Sequence, residues 1–148
     1  MCYVVTGFVN KLALTDSFAD ICTKYNRSVK PIRNIIENTI PSENICPFRI
    51  TGRPNWDCDC GTSLGSKVVK DDLKDYLSFL KEIQGCPKVE YIGIFKHMYK
   101  GSFDEIIVAK LKIIKIHISE IDVDYLANIE DDIIYIILYY KKHNQVEL

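Results

Sequence analysis

Cys58 and Cys60, separated by one residue, lie in the run Trp56-Asp57-Cys58-Asp59-Cys60-Gly61-Thr62-Ser63-Leu64-Gly65-Ser66, the stretch of this chain whose residue types best suit chemistry. Thiolates hold zinc tetrahedrally, and Gly61 permits the bend that would point both sulfurs the same way. Cys46 and Cys86 are the candidates to complete four ligands, which makes zinc the cofactor to consider. The spacing is not that of familiar structural zinc sites, which place two residues between paired cysteines. Both Cys46 and Cys86 precede a proline, which fixes the chain locally without identifying a ligand.

Redox exchange is a second chemistry for the pair: one thiolate attacks a disulfide and its neighbour resolves the intermediate. Asp57 and Asp59 argue against it, since nearby carboxylates hold a thiol protonated. Anion binding is a third. Gly61, Thr62, Ser63, Gly65 and Ser66 lead toward a helix starting near Asp71, where backbone amides attract phosphate, with Lys67 and Lys70 to assist. The run lacks the Gly-Lys-Ser/Thr ending of a Walker loop, and Asp71-Asp72 competes for the same helix end. The plainest account makes the cysteines small buried hydrophobes alternating with outward-facing aspartates, while the glycines turn the chain.

Elsewhere the signals are thinner. His97, His117 and His143 have no metal-ligand spacing. His97 is a candidate acid/base only if folding brings it to Cys58 and Cys60. The acids Glu120, Asp122, Asp124, Glu130, Asp131 and Asp132 lack the EF-hand pattern and read as solvated helix caps or as a docking face for a basic partner. Lys110, Lys112 and Lys115, with nearby tyrosines, would be the nucleic-acid face if there were one, but no basic excess supports that partner.

These residues must be positioned by a chain of 148 residues, enough for one domain with its own core. Cys2 to Val9 reads as a strand, residues 16 to 25 as an amphipathic helix capped by Thr15 or Asp16, and Ser28 to Asn38 as a strand, with helix as the alternative because Ile32, Ile35 and Ile36 fit helical spacing about as well although Pro31 would interrupt it. Phe48 to Thr51 is a short strand before the glycine-rich loop. Asp71 to Ile83 is the clearest helix, with Leu73, Tyr76, Leu77 and Leu80 on one face and Gly85 and Pro87 at its end. Val89 to His97 is a strand, Lys100 to Ser102 a turn, and Glu105 to Ile118 a long strand whose alternation slips at Ile113-Ile114, where a bulge would restore it. Asp122 to Ile129 suits a short helix and Asp132 to Tyr140 a final buried strand, with helix as the alternative.

That order predicts a single α+β domain over residues 1–148: a two-layer sandwich with helices on one face of a mostly antiparallel sheet. Its first six elements have the βαββαβ order of ferredoxin-like folds, extended by a C-terminal strand. Such a fold carries no function by itself.

Composition limits the function classes. Hydrophobic residues make up 47% and charged residues 26%, a globular balance with no low-complexity tract. Apolar runs such as Ile133 to Tyr140 fall short of the ~20 residues a membrane span needs. The first residues read as strand rather than secretory signal, so the six cysteines are expected reduced in the cytoplasm. The net charge of −1 is uneven: 88–117 has six lysines against three acids, and 119–132 has six acids and no lysine or arginine. The two segments are expected to neutralise each other. The expectation is a small non-enzymatic binding or interaction protein, accessory or inhibitory. Its partner would be another protein or a small anionic ligand, and its specialised surface the Cys58 to Ser66 loop. The alternatives are a metal- or thiol-dependent enzyme using Cys58 and Cys60, and a nucleotide or oligonucleotide binder.

Overall fold

The computed structural model describes residues 2–27, 45–53, 57–101 and 111–140. The expected strand over 28–38, the first half of the expected 105–118 strand with Lys110, and Trp56, Ser102 and His143 lie outside these residues. The described elements are β1 (Cys2–Asn10), α1 (Asp16–Lys24), β2 (Ile45–Arg49), α2 (Asp72–Glu82), β3 (Tyr91–Tyr99), β4 (Lys112–His117), α3 (Val123–Ala127) and β5 (Ile133–Leu138), with 3-10 turns at Lys11–Ala13, Ile83–Gly85 and Ile118–Glu120. Local chemistry sets several boundaries. The Thr15 side chain accepts the Phe18 N–H to open α1, and Asp122 accepts the Tyr125 N–H at 2.7 Å to open α3.

The strands form one five-stranded sheet in the order β2-β1-β3-β5-β4, antiparallel at every junction except β4/β5. This is an α+β fold with a mostly antiparallel sheet, as expected. The ferredoxin-like arrangement is not clearly matched. A split βαβ unit brings parallel strands into the sheet with another between them. Here β1 lies antiparallel to both β2 and β3, and the one parallel pair is adjacent, joined by residues 118–132 with α3 among them. A parallel connection needs about a dozen residues or more, which that segment supplies.

One core lies between sheet and helices. Val5, Val9, Ile92, Ile94, Tyr135 and Ile137 meet Phe18 and Cys22 of α1, Leu73, Tyr76, Phe79 and Leu80 of α2, and Leu126 and Ala127 of α3. On the sheet's other face Val4, Phe8, Tyr91, Phe95, Tyr99, Ile134 and Ile136 form a second buried cluster. Burial on both faces explains why β5 reads as a continuous apolar run rather than an alternating one. It also explains Gly93, which pairs with Phe8 across the strands and lies directly under that ring, leaving no room for a Cβ. Pro47, which has no N–H to donate, sits in the outer strand β2.

No bulge interrupts β4: Lys112 through His117 pair residue by residue with Ile133 through Leu138. The slip at Ile113-Ile114 arises because both faces take apolar side chains, with Ile114 and Ile116 against the helix-side core and Ile113 45% exposed on the other face. Strand side chains alternate, so Lys112 and Lys115 lie on opposite faces and do not make one basic stripe.

Among the described residues no helix is long and apolar enough to cross a membrane.

Candidate metal centre

The site begins where β2 ends. β2 pairs with Thr6 to Asn10 of β1, and the segment carrying Cys58 and Cys60 lies beside the part of β1 that β2 leaves uncovered. The Asp59 N–H donates to the Tyr3 carbonyl at 2.7 Å, the Val5 N–H donates to Asp59 Oδ2 at 2.8 Å, and the Tyr3 N–H donates to Cys60 Sγ at 3.4 Å. Asp59 Oδ2 also accepts from Arg49 Nη2 at 2.6 Å, with side-chain exposures of 1% for Asp59 and 3% for Arg49.

The alternation expected of this segment is therefore present with its phase inverted. Asp59 is buried, Cys58 is half-buried and Cys60 is exposed. The cause is Arg49: a guanidinium buried at the end of β2 needs a counter-charge, and Asp59 supplies it. Turning Asp59 inward turns its two neighbours outward, because successive side chains of an extended segment point to opposite sides.

Cys58 and Cys60 meet Cys2 at the start of β1, all three Sγ atoms lying within 4.8 Å of one another. Cys46 and Cys86, expected as the other two ligands, are not in this group. Both are buried in the helix-side core, where Cys86 Sγ lies 3.5 Å from Ser17 Oγ. Burial pushes the neighbouring Cys22 thiol up to about 12, with the nearby Cys86 adding to the effect. All six cysteines are free thiols.

The three sulfurs are electrostatically unequal. The Cys58 thiol is held below its ordinary value, first by the Cys60 backbone N–H, then by hydrogen bonds from the Cys60 and Cys2 thiols. Slight burial and the Asp57 charge oppose this and lose. Cys2 is pushed up, chiefly by its hydrogen bond to Cys58. The flanking aspartates thus do not raise the Cys58 thiol above its ordinary value. Asp57 accepts the Cys58 N–H through Oδ1 at 3.0 Å and Arg53 through Oδ2 at 2.5 Å, and Asp59 is paired with Arg49.

The loop that follows is a fastener. The Thr62 N–H donates to the Asp59 carbonyl, Leu64 to Thr62 Oγ1, Gly65 to the Leu126 carbonyl, Ser66 to the Ser63 carbonyl and Lys67 to the Ala127 carbonyl. Ser63 and Leu64 are 1% exposed. Of the amides expected to cradle an anion, those of Thr62 and Ser66 bond within the loop and that of Gly65 bonds to the C-terminal end of α3. Gly65 has φ +70° and abuts the Ile129 carbonyl, a combination that only glycine accommodates easily.

His97 does not join the thiols. Its Nδ1 lies 2.5 Å from Asp132 Oδ1, and its ring stacks on Phe95 and meets Tyr99 edge-on. Lys96 lies 3.8 Å from Asp131, so the basic and acidic segments do neutralise each other in part, through this pair. Asp122 serves as a helix cap, as expected of that acidic run.

Cys2 is the member of this candidate group that spacing did not reveal. It became a candidate only once the 57–60 segment was seen to lie against β1.

No family model matches the chain, and no curated protein or solved structure matches it.

Proposed function

We propose that the protein is a binding protein whose ligand is a thiophilic metal ion held by Cys2, Cys58 and Cys60. The observation that carries this is the convergence of three thiols from two distant parts of the sequence within 4.8 Å. Thiolates around zinc at ~2.3 Å lie ~3.8 Å apart, so a modest contraction of the group would seat an ion. The Cys60 N–H beside Cys58 favours the thiolate at Cys58, since a hydrogen bond to sulfur stabilises its charged form. Soft sulfur ligands select ions such as zinc and monovalent copper over magnesium or calcium. Six free cysteines accord with a reducing compartment such as the cytoplasm.

The test is metal content per chain by elemental mass spectrometry, on protein purified reduced and without chelator, beside Cys2→Ser, Cys58→Ser and Cys60→Ser variants. The expected result is near-stoichiometric metal that each substitution abolishes and that Cys46→Ser and Cys86→Ser leave in place. A protein that neither carries metal nor takes up added zinc or monovalent copper would overturn the proposal.

A second reading has its own support in the depressed Cys58 thiol, which favours thiol–disulfide exchange with a partner protein. The Cys58 thiolate would attack the partner's disulfide and release one partner thiolate. Cys60 or Cys2 would then attack the mixed disulfide and release the other, leaving the partner reduced and this protein oxidised. Trapping a mixed disulfide through Cys58 in a Cys2→Ser/Cys60→Ser variant would favour it, and failure to trap one with any disulfide substrate would count against it.

A further inference from the structure

We infer that the ion this site prefers is monovalent copper, held three-coordinate by sulfur alone, rather than zinc. The inference rests on the metal-binding reading above and narrows it to one ligand chemistry. Three observations lead to it. First, the group that converges contains three cysteines and, among the described residues, neither histidine nor carboxylate. Zinc in structural sites closes its shell with four protein ligands, whereas monovalent copper, a soft closed-shell ion, is complete with three thiolates in a plane.

Second, the harder donors nearest in sequence are committed elsewhere. Both oxygens of Asp57 are engaged, one by the Cys58 N–H and the other by Arg53, and Asp59 Oδ2 is held by Arg49 and the Val5 N–H while its Oδ1 is buried outside the group of three sulfurs. Neither ring nitrogen of His97 joins the three sulfurs. Among the described residues no fourth ligand joins the three sulfurs for a zinc ion to take. Third, Cys60 is exposed while Cys2 and Cys58 are half-buried, so the ion would sit at the surface, within reach of an incoming thiol. A three-coordinate ion so placed can be passed on by ligand exchange: an added thiolate binds as a fourth ligand before one of the three lets go, and no change of oxidation state is needed.

The experiment is an anaerobic titration of the reduced full chain with monovalent copper in competition with a chromogenic copper chelator, followed by a challenge with excess zinc. X-ray absorption at the copper edge would be recorded on the loaded protein. The expected result is one copper per chain, retained against zinc, with three sulfur neighbours and no nitrogen or oxygen. Cys2→Ser, Cys58→Ser and Cys60→Ser should each lose copper to the chelator, while Asp57→Asn should retain it. Zinc displacing copper, or a nitrogen or oxygen in the copper shell, would overturn the copper assignment and leave the thiol metal site standing. Uptake of neither ion would overturn both.

Discussion

Arg49 Nη2 and Asp59 Oδ2 meet at 2.6 Å with almost no solvent around them, and this contact decides which way the cysteine segment faces. A buried pair contributes little net stability while intact, but breaking it strands a charge. Asp59→Ala is therefore expected to destabilise the protein by ~3–5 kcal/mol. Replacing both residues together with apolar side chains should cost much less. Urea denaturation of the two single variants and the double variant measures the difference. Equal losses in the Asp59 single variant and the double variant would show that the pair is not what holds the segment.

The thiols should titrate in a fixed order. Because Cys58 is depressed and Cys2 raised, Cys58 carries more thiolate near neutral pH and should be alkylated by iodoacetamide at lower pH than Cys2. Cys22, buried and pushed up to about 12, should stay unmodified until the protein unfolds. Peptide mapping of alkylation across a pH series reads this order directly, and Cys2 reacting first would contradict it.

Only part of this arrangement was legible in the residues. The 3.6-residue spacing of α1 and α2 and the β-branched runs of β1 and β5 carry their own signal, because each buries a stripe or a face whose period shows in the sequence. The phase of the Asp57-Cys58-Asp59-Cys60 alternation does not. It depends on the buried Arg49, whose partner lies across a loop. The strand order depends on pairings between distant segments, and the apparent slip in β4 came from a sheet with apolar contacts on both faces. Cys2 could be read as a strand residue, but its sulfur neighbours were set by that unseen pairing.

Gly93→Ala should be poorly tolerated, because the added methyl meets the Phe8 ring in the second core cluster. Overpacking of this kind costs ~1–3 kcal/mol. Phe8→Leu in the same chain should recover part of the loss, and a double-mutant cycle by thermal denaturation would show the coupling. Strict additivity of the two changes would refute the contact.

Lys24, Tyr25 and Glu82 form a small pH-sensitive clasp between α1 and α2, with Lys24 Nζ 2.8 Å and Tyr25 Oη 2.6 Å from the Glu82 carboxylate. Glu82 is held below its ordinary value by the Lys24 hydrogen bond and then by that of Tyr25. Its contribution is full above the ordinary carboxylate range and is lost as pH falls through the depressed value. Lys24 and Tyr25 are both raised, chiefly by their hydrogen bonds to Glu82, so their contributions are full below their ordinary values and lost as pH rises through the raised ones. Melting temperature against pH should therefore fall at both extremes, and Glu82→Gln should flatten both limbs slightly. An unchanged profile in that variant would dismiss the clasp.

The position of β5 bears on how the chain is made. It is the last strand of the sheet in sequence, yet it lies between β3 and β4. A nascent chain that has not yet released residues 133–138 from the ribosome presents β3 with one open edge and β4 with no described strand to pair with. Open edges of this apolar kind recruit other chains. Chains truncated before Ile133 should therefore collect in the insoluble fraction to a greater extent than chains that carry β5.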